Sequence, residues 1–140
     1  MPLIRYGTND IVILDPNDTC SCGRVFDLFR GGILGRYDDM VKVRGVQLTP
    51  QMVEEIVRAF PEVEEFFTTV EEREGLDGLL IKIELRKDLN SLAAPTIASK
   101  IQQQFKNIIG LTPEVEVVAP NSLPRFELKS RRFKDLRTRH

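Results

Sequence analysis

The succession of patterned segments from residue 40 onward predicts an α+β fold. It is a split β-α-β-β-α-β sandwich of ferredoxin-like type, an antiparallel sheet with two helices on one face, preceded by a small β-rich N-terminal segment. Three observations carry this. An apolar stripe at helical spacing runs from Met52 to Phe60 and stops at Pro61. A second stripe, Ile97, Ile101, Phe105, Ile108 and Ile109, stops at Gly110. Between them, "LLIKIELR" (79–86) alternates apolar and mixed positions at a period of two.

The N-terminal segment opens with the apolar run "IVIL" (11–14), then the turn-rich "DPNDTCSCG" (15–23) and "RVFDLFRGGIL" (24–34). These read as short strands and turns. Residues 39–48, with Met40, Val41 and Val43, read as one strand, in which Lys42 and Arg44 take the solvent face. Thr49 is suited to cap a helix and Pro50 to occupy its first position, so a helix is predicted over 50–60. "VEEFFTTVEERE" (63–74), "GLDG" (75–78) and the alternating stretch 79–86 read as strand, turn and strand. A helix over 93–109 and a strand over "EVEVVA" (114–119) complete the set.

The chain of 140 residues is long enough for one domain with a core. Its net charge of −1 gives no general attraction to nucleic acid or to an acidic membrane. Charge is uneven, since residues 125–140 hold seven Lys and Arg against Glu127 and Asp135. No run approaches the roughly 18 apolar residues of a membrane span, and the first ten residues lack a signal pattern, so cytoplasm is the expected compartment. Cys20 and Cys22 are too few for a disulfide framework. They are weak zinc candidates, because a structural site needs four ligands and His140 is the sole histidine.

Three segments resemble the C-terminal part of adenylate-forming acyl-CoA ligases, phenylacetate-CoA ligases most closely. "PLIRYGTND" (2–10) is similar to that family's Pro-x-Ile-Arg-Tyr-Arg-Thr-Gly-Asp segment. "ILGRYDDMVKVRGVQLTPQMVEE" (33–55) is similar to its Gly-Arg-x-Asp-Asp-x-x-x-x-Arg-Gly hinge. "PRFELKSRRFKDLR" (124–137) is similar to its Glu-Gly-Lys-Ala-x-Arg tail. Asn9 stands where the family has Gly, Gly7 where Arg is common, and Leu128 where Gly precedes the lysine.

The resemblance implies that residues 1–37 end an N-terminal adenylation body and that 38–140 form a mobile lid domain with a basic tail. Such ligases join a carboxylic acid to coenzyme A, using ATP with Mg²⁺, through an acyl-adenylate. It implies Lys129 as the adenylation lysine, Asp10 and Arg36 as nucleotide contacts, Asp38 as the hinge, and Arg44 and Gly45 as the loop of the CoA step. From the residues alone, Asp10 and Asp38 are turn aspartates, Arg36 a surface ion-pair partner and Lys129 one charge of a basic tail.

The expected partner is the N-terminal adenylation domain, in the same gene or as a separate subunit. The chain alone is expected to be inactive, to hold no tightly bound cofactor, and to expose a partly apolar docking face that could drive homodimerisation. Two alternatives use the same fold: a small-molecule- or nucleic-acid-binding module, and a subunit acting in trans. An RNA-binding sheet would need exposed aromatics, for which Phe66 and Phe67 are the candidates.

Overall fold

A computed structural model of the chain describes residues 7–15, 22, 23, 25–73, 75–89, 93–125 and 132–137. The chain forms two compact units, Met1–Met40 and Val41–His140. In the first, β1 (Asp10–Asp15) pairs antiparallel with β2 (Leu28–Arg36), with Asp10 opposite Arg36. The register shifts between Ile11 and Ile13, where glycine-rich β2 bulges.

The second unit begins with a short hairpin. Strands β3 (Val41–Val43) and β4 (Val46–Leu48) pair with each other across Arg44 and Gly45. Residues 39–48 are therefore not the single sheet strand the sequence predicts. Arg44 and Gly45 take φ of 48° and 85°, the left-handed pair that a two-residue hairpin turn requires.

Helix α1 (Pro50–Arg58) starts as predicted: the Thr49 side chain accepts a hydrogen bond from the Met52 amide at 3.3 Å, and Pro50 follows the cap. It buries Val53, Ile56 and Val57. Helix α2 (Ala94–Ile109) buries Ile97, Ile101 and Phe105, and ends at Gly110 in the left-handed conformation (φ 74°).

Between the helices, β5 (Val63–Arg73) and β6 (Leu76–Leu85) form a long antiparallel hairpin. Arg73 pairs with Leu76, so most of the predicted turn 75–78 belongs to the ladder. β7 (Glu114–Val118) lies parallel to β6, as the crossover through α2 demands. β8 (Phe133–Asp135) lies parallel to β5.

The four-stranded order is β7-β6-β5-β8. Among the described residues the molecule is α+β with two helices, but the sheet is mixed, not antiparallel throughout. Its fourth strand comes from the basic tail, while the predicted first strand is diverted into the β3–β4 hairpin. One apolar cluster unites the parts: Val43 and Leu48 from the hairpin, the buried faces of both helices, and Phe66, Val70, Ile81 and Ile83 from the central strands.

The packing makes two measurable statements. Thr49→Ala should cost about 1 kcal/mol, the usual loss of an N-cap acceptor, in urea unfolding of the chain. Phe105→Ala, at a fully buried position, should cost about 3–5 kcal/mol in the same measurement.

Candidate functional site

In the first unit, three of the residues singled out in the sequence converge at one end of the β1–β2 hairpin. Asp10 and Arg36 are register partners. The Arg36 guanidinium donates from Nη2 to Asp38 Oδ2 at 2.6 Å. This bond, aided by the Asn9 side chain, holds the Asp38 carboxyl below the usual aspartate range despite some opposing desolvation. The backbone closes the same corner: the Tyr37 amide donates to the Asn9 carbonyl at 2.7 Å, and the Met40 amide to the Tyr37 carbonyl at 3.2 Å.

Asn9 has φ of 60°. The position where the resembled segment carries glycine is thus left-handed in this chain, and asparagine is among the residues that adopt that conformation most readily. Asp38 lies in the turn after β2, exposed and tied only through side chains and local turns. The Asp10 carboxylate offers acceptors suited to a diol, while the Arg36 guanidinium beside it is already paired with Asp38.

In the second unit, Arg44 and Gly45 form the exposed turn of the β3–β4 hairpin. Arg44 Nε donates to the Asp77 carbonyl at 2.6 Å. A side chain added at Gly45 would meet no atom within 4 Å, so the left-handed φ, not crowding within the chain, is what calls for glycine there. An open groove of about 450 Å³ borders the turn, lined in part by Arg44, Glu71, Leu76, Gln102 and Glu114. Two carboxylates against one guanidinium make it a poor cradle for phosphate.

Sequence reasoning missed two buried carboxylates. Glu65 on β5 and Glu84 on β6 are register partners, 4% and 1% exposed. Glu65 receives Arg132 Nε at 2.8 Å and Nη2 at 3.2 Å, Arg58 at 3.4 Å and the Phe66 amide at 2.9 Å. Glu84 receives the Asn121 amide at 3.1 Å, the Leu123 amide, and Arg125 at 2.8 Å. Burial pushes both carboxyls up, and these donors more than reverse it, leaving both below the ordinary glutamate value. The sequence held no signal that singles them out, since Glu65 is one of four glutamates in β5 and Glu84 shares its face of the β6 alternation with Lys82.

Lys129 falls outside the described residues, in the stretch between Arg125 and Arg132. Cys20 also falls outside them, and Cys22 is exposed. Among the described residues, no group of three or more Asp, Glu, His or Cys could hold a metal ion. No described helix is long and apolar enough to cross a membrane. Phe66 is 2% exposed and carries Arg58 and Arg132 over its ring at 5.3 and 5.9 Å, so it is not available for base stacking.

Residues 45–137 match the family model described as the AMP-binding enzyme C-terminal domain. The chain is 35% identical over 98% of its length to a phenylacetate-coenzyme A ligase of Thermus thermophilus, covering 34% of that protein. It spans about a third of the length of the curated relatives it matches. A crystal structure of 2-hydroxyisobutyryl-CoA ligase in the postadenylation state, with R3-HIB-AMP, superposes on 96% of the chain and 29% of its own, with a TM-score of 0.84 and 28% identity. The same ligase with 2-HIB-AMP and CoA, in the thioesterification state, covers 96% of the chain and 28% of its own at a TM-score of 0.65 and 28% identity.

The buried carboxylates set a pH dependence. Their folded-state pKa values lie below the ordinary 4.5, so their stabilisation is complete above that value and disappears as pH falls through the depressed ones. Thermal unfolding of the chain should therefore drop in acid, and Glu65→Gln with Glu84→Gln should flatten the drop. Arg132→Met, which strips the main partner from a buried carboxylate, should cost about 3 kcal/mol at neutral pH.

Proposed function

The chain belongs to the family of AMP-binding enzyme C-terminal domains, and on that premise we propose that it is the C-terminal portion of an ATP-dependent carboxylate–CoA ligase of the phenylacetate-CoA ligase kind. The observation that carries this reading is the family match over 45–137, continuous with relatives that align over 98% of the chain.

In the first half-reaction a carboxylate oxygen attacks the α-phosphorus of ATP, and pyrophosphate leaves. Lys129 would place its ammonium against the charge that builds on the carboxylate and α-phosphate. Asp10 accepts hydrogen bonds from the ribose hydroxyls, and Arg36 donates to the phosphates. The proximity of these two residues in the first unit supports a shared ligand. Mg²⁺ travels with the triphosphate and has no cluster of ligands among the described residues.

In the second half-reaction the CoA sulfur attacks the acyl carbon and AMP leaves with the former carboxylate oxygen. Gly45 lets the backbone run close to the pantetheine arm, and Arg44 flanks it. Asp38 is the pivot between the two poses, with residues 1–37 ending the body and 38–140 forming the lid. One observation supports a pivot there: the compact units part after Met40, two residues beyond Asp38. A hinge needs only a few positions able to absorb a change in backbone angles, and an exposed turn residue qualifies.

The body that holds the acyl group and most of the nucleotide would be supplied by the same gene or by a separate subunit. Without it, the 140-residue chain should release no AMP and form no thioester from acid, ATP and CoA. In the ligase assembled with its body, Lys129→Ala should slow pyrophosphate release by about 10²–10³-fold. Thioester formation from a supplied acyl-adenylate should stay within about twofold. Equal losses in both steps would sink the assignment of Lys129 to adenylation.

A further inference from the structure

The β3–β4 hairpin is too small to fix its own turn. Each strand has three residues, and an isolated two-stranded hairpin is marginal in water. Arg44, a non-glycine residue at φ 48°, adds a conformational cost. Its precise shape must be held from outside.

The holding groups come from two distant parts of the sequence. Asp77 on β6 accepts Arg44 Nε at its backbone carbonyl, 2.6 Å away. Its carboxylate Oδ2 accepts Arg137 Nη1 at 2.7 Å. The same Arg137 nitrogen donates to the Lys42 carbonyl at 2.8 Å. Lys42 lies opposite Gln47, between the pairs Val41–Leu48 and Val43–Val46, so its carbonyl points away from the partner strand.

Arg137 is itself oriented. Its Nε and Nη2 reach Asp135 Oδ1 and Oδ2 at 3.0 and 2.8 Å, and its amide reaches Oδ1 at 3.1 Å. The Leu136 amide docks on the Val70 carbonyl at 2.9 Å. The guanidinium is thus gripped through three nitrogens on three acceptor residues, with a side chain 15% exposed. Lysine has no fork with which to copy this.

We propose that Arg137 and Asp77 form a clamp that sets the geometry of the Arg44–Gly45 turn for the attack of the CoA thiol, as positioning residues of the thioester step. The proposal rests on reading that turn as the loop of the CoA step. It gives the C-terminal segment a part in both half-reactions, through Lys129 in adenylation and through Arg137, eight residues later, in thiol delivery.

Two measurements test it. In the 140-residue chain, Arg137→Ala should speed hydrogen exchange at the Val43 and Val46 amides about tenfold and leave Ile81 and Ile83 unchanged. Uniform acceleration would mean general loosening and would overturn the clamp. In the assembled ligase, Arg137→Ala should raise the KM for CoA about tenfold in thioester formation from supplied acyl-adenylate, with pyrophosphate release within twofold. Arg137→Lys should recover less than half of the loss, and the isosteric Asp77→Asn should raise the KM about threefold. Gly45→Val separates the two readings. If it raises the KM for CoA while the clamp variants do not, the clamp is overturned and the turn keeps its role. If none of these variants moves the KM, the clamp and the reading of the turn fall together.

Discussion

Two carboxylates facing each other across the central hairpin govern how the second unit is closed. Glu65 and Glu84 occupy one register position of β5 and β6, both out of reach of water. Ionised groups in such a place require compensation by opposite charge and well-directed hydrogen bonds. Most of the compensation arrives from the C-terminal stretch, with Arg58 of α1 and the Phe66 amide adding to it at Glu65. Asn121, Leu123 and Arg125 serve Glu84, and Arg132 serves Glu65. Residues 121–125 thus meet β6 at Glu84, and Arg132 meets β5 at Glu65, next to β8 at the edge of the sheet.

The distance along the chain between partners explains what could be read in advance. Both helices were legible, because caps, prolines and the glycine stop are local signals that coincide with the apolar stripes. The β5–β6 hairpin was legible for a similar reason. The diversion of residues 41–48 into a separate hairpin was not, since Arg-Gly is a weaker turn signal than Asn-Gly. β8 was hidden because three residues carry no usable period, and their place in the sheet depends on a parallel partner more than sixty residues upstream. Glu65 and Glu84 looked like solvent-facing charges because their partners lie 67 and 41 residues away.

The candidate site shows the same division. Asp10, Arg36 and Asp38 assemble through neighbouring strands and one turn, and their grouping follows from short-range pairing. Asn9, which departs from the resembled pattern, takes a left-handed conformation that glycine also adopts without cost. The Arg44–Gly45 turn is the opposite case. Both residues were singled out by resemblance and read as part of one strand, and the support of the turn they form is not local, because Asp77 and Arg137 reach it from far along the chain.

The 67 residues between Glu65 and its main guanidinium also bear on biosynthesis. At about 5–20 residues per second, Glu65 is added to the growing chain roughly 3–13 s before Arg132. Through that interval Glu65 has Arg58 within reach but not its main guanidinium. The nascent sheet is one strand short of its full order until the basic end is made.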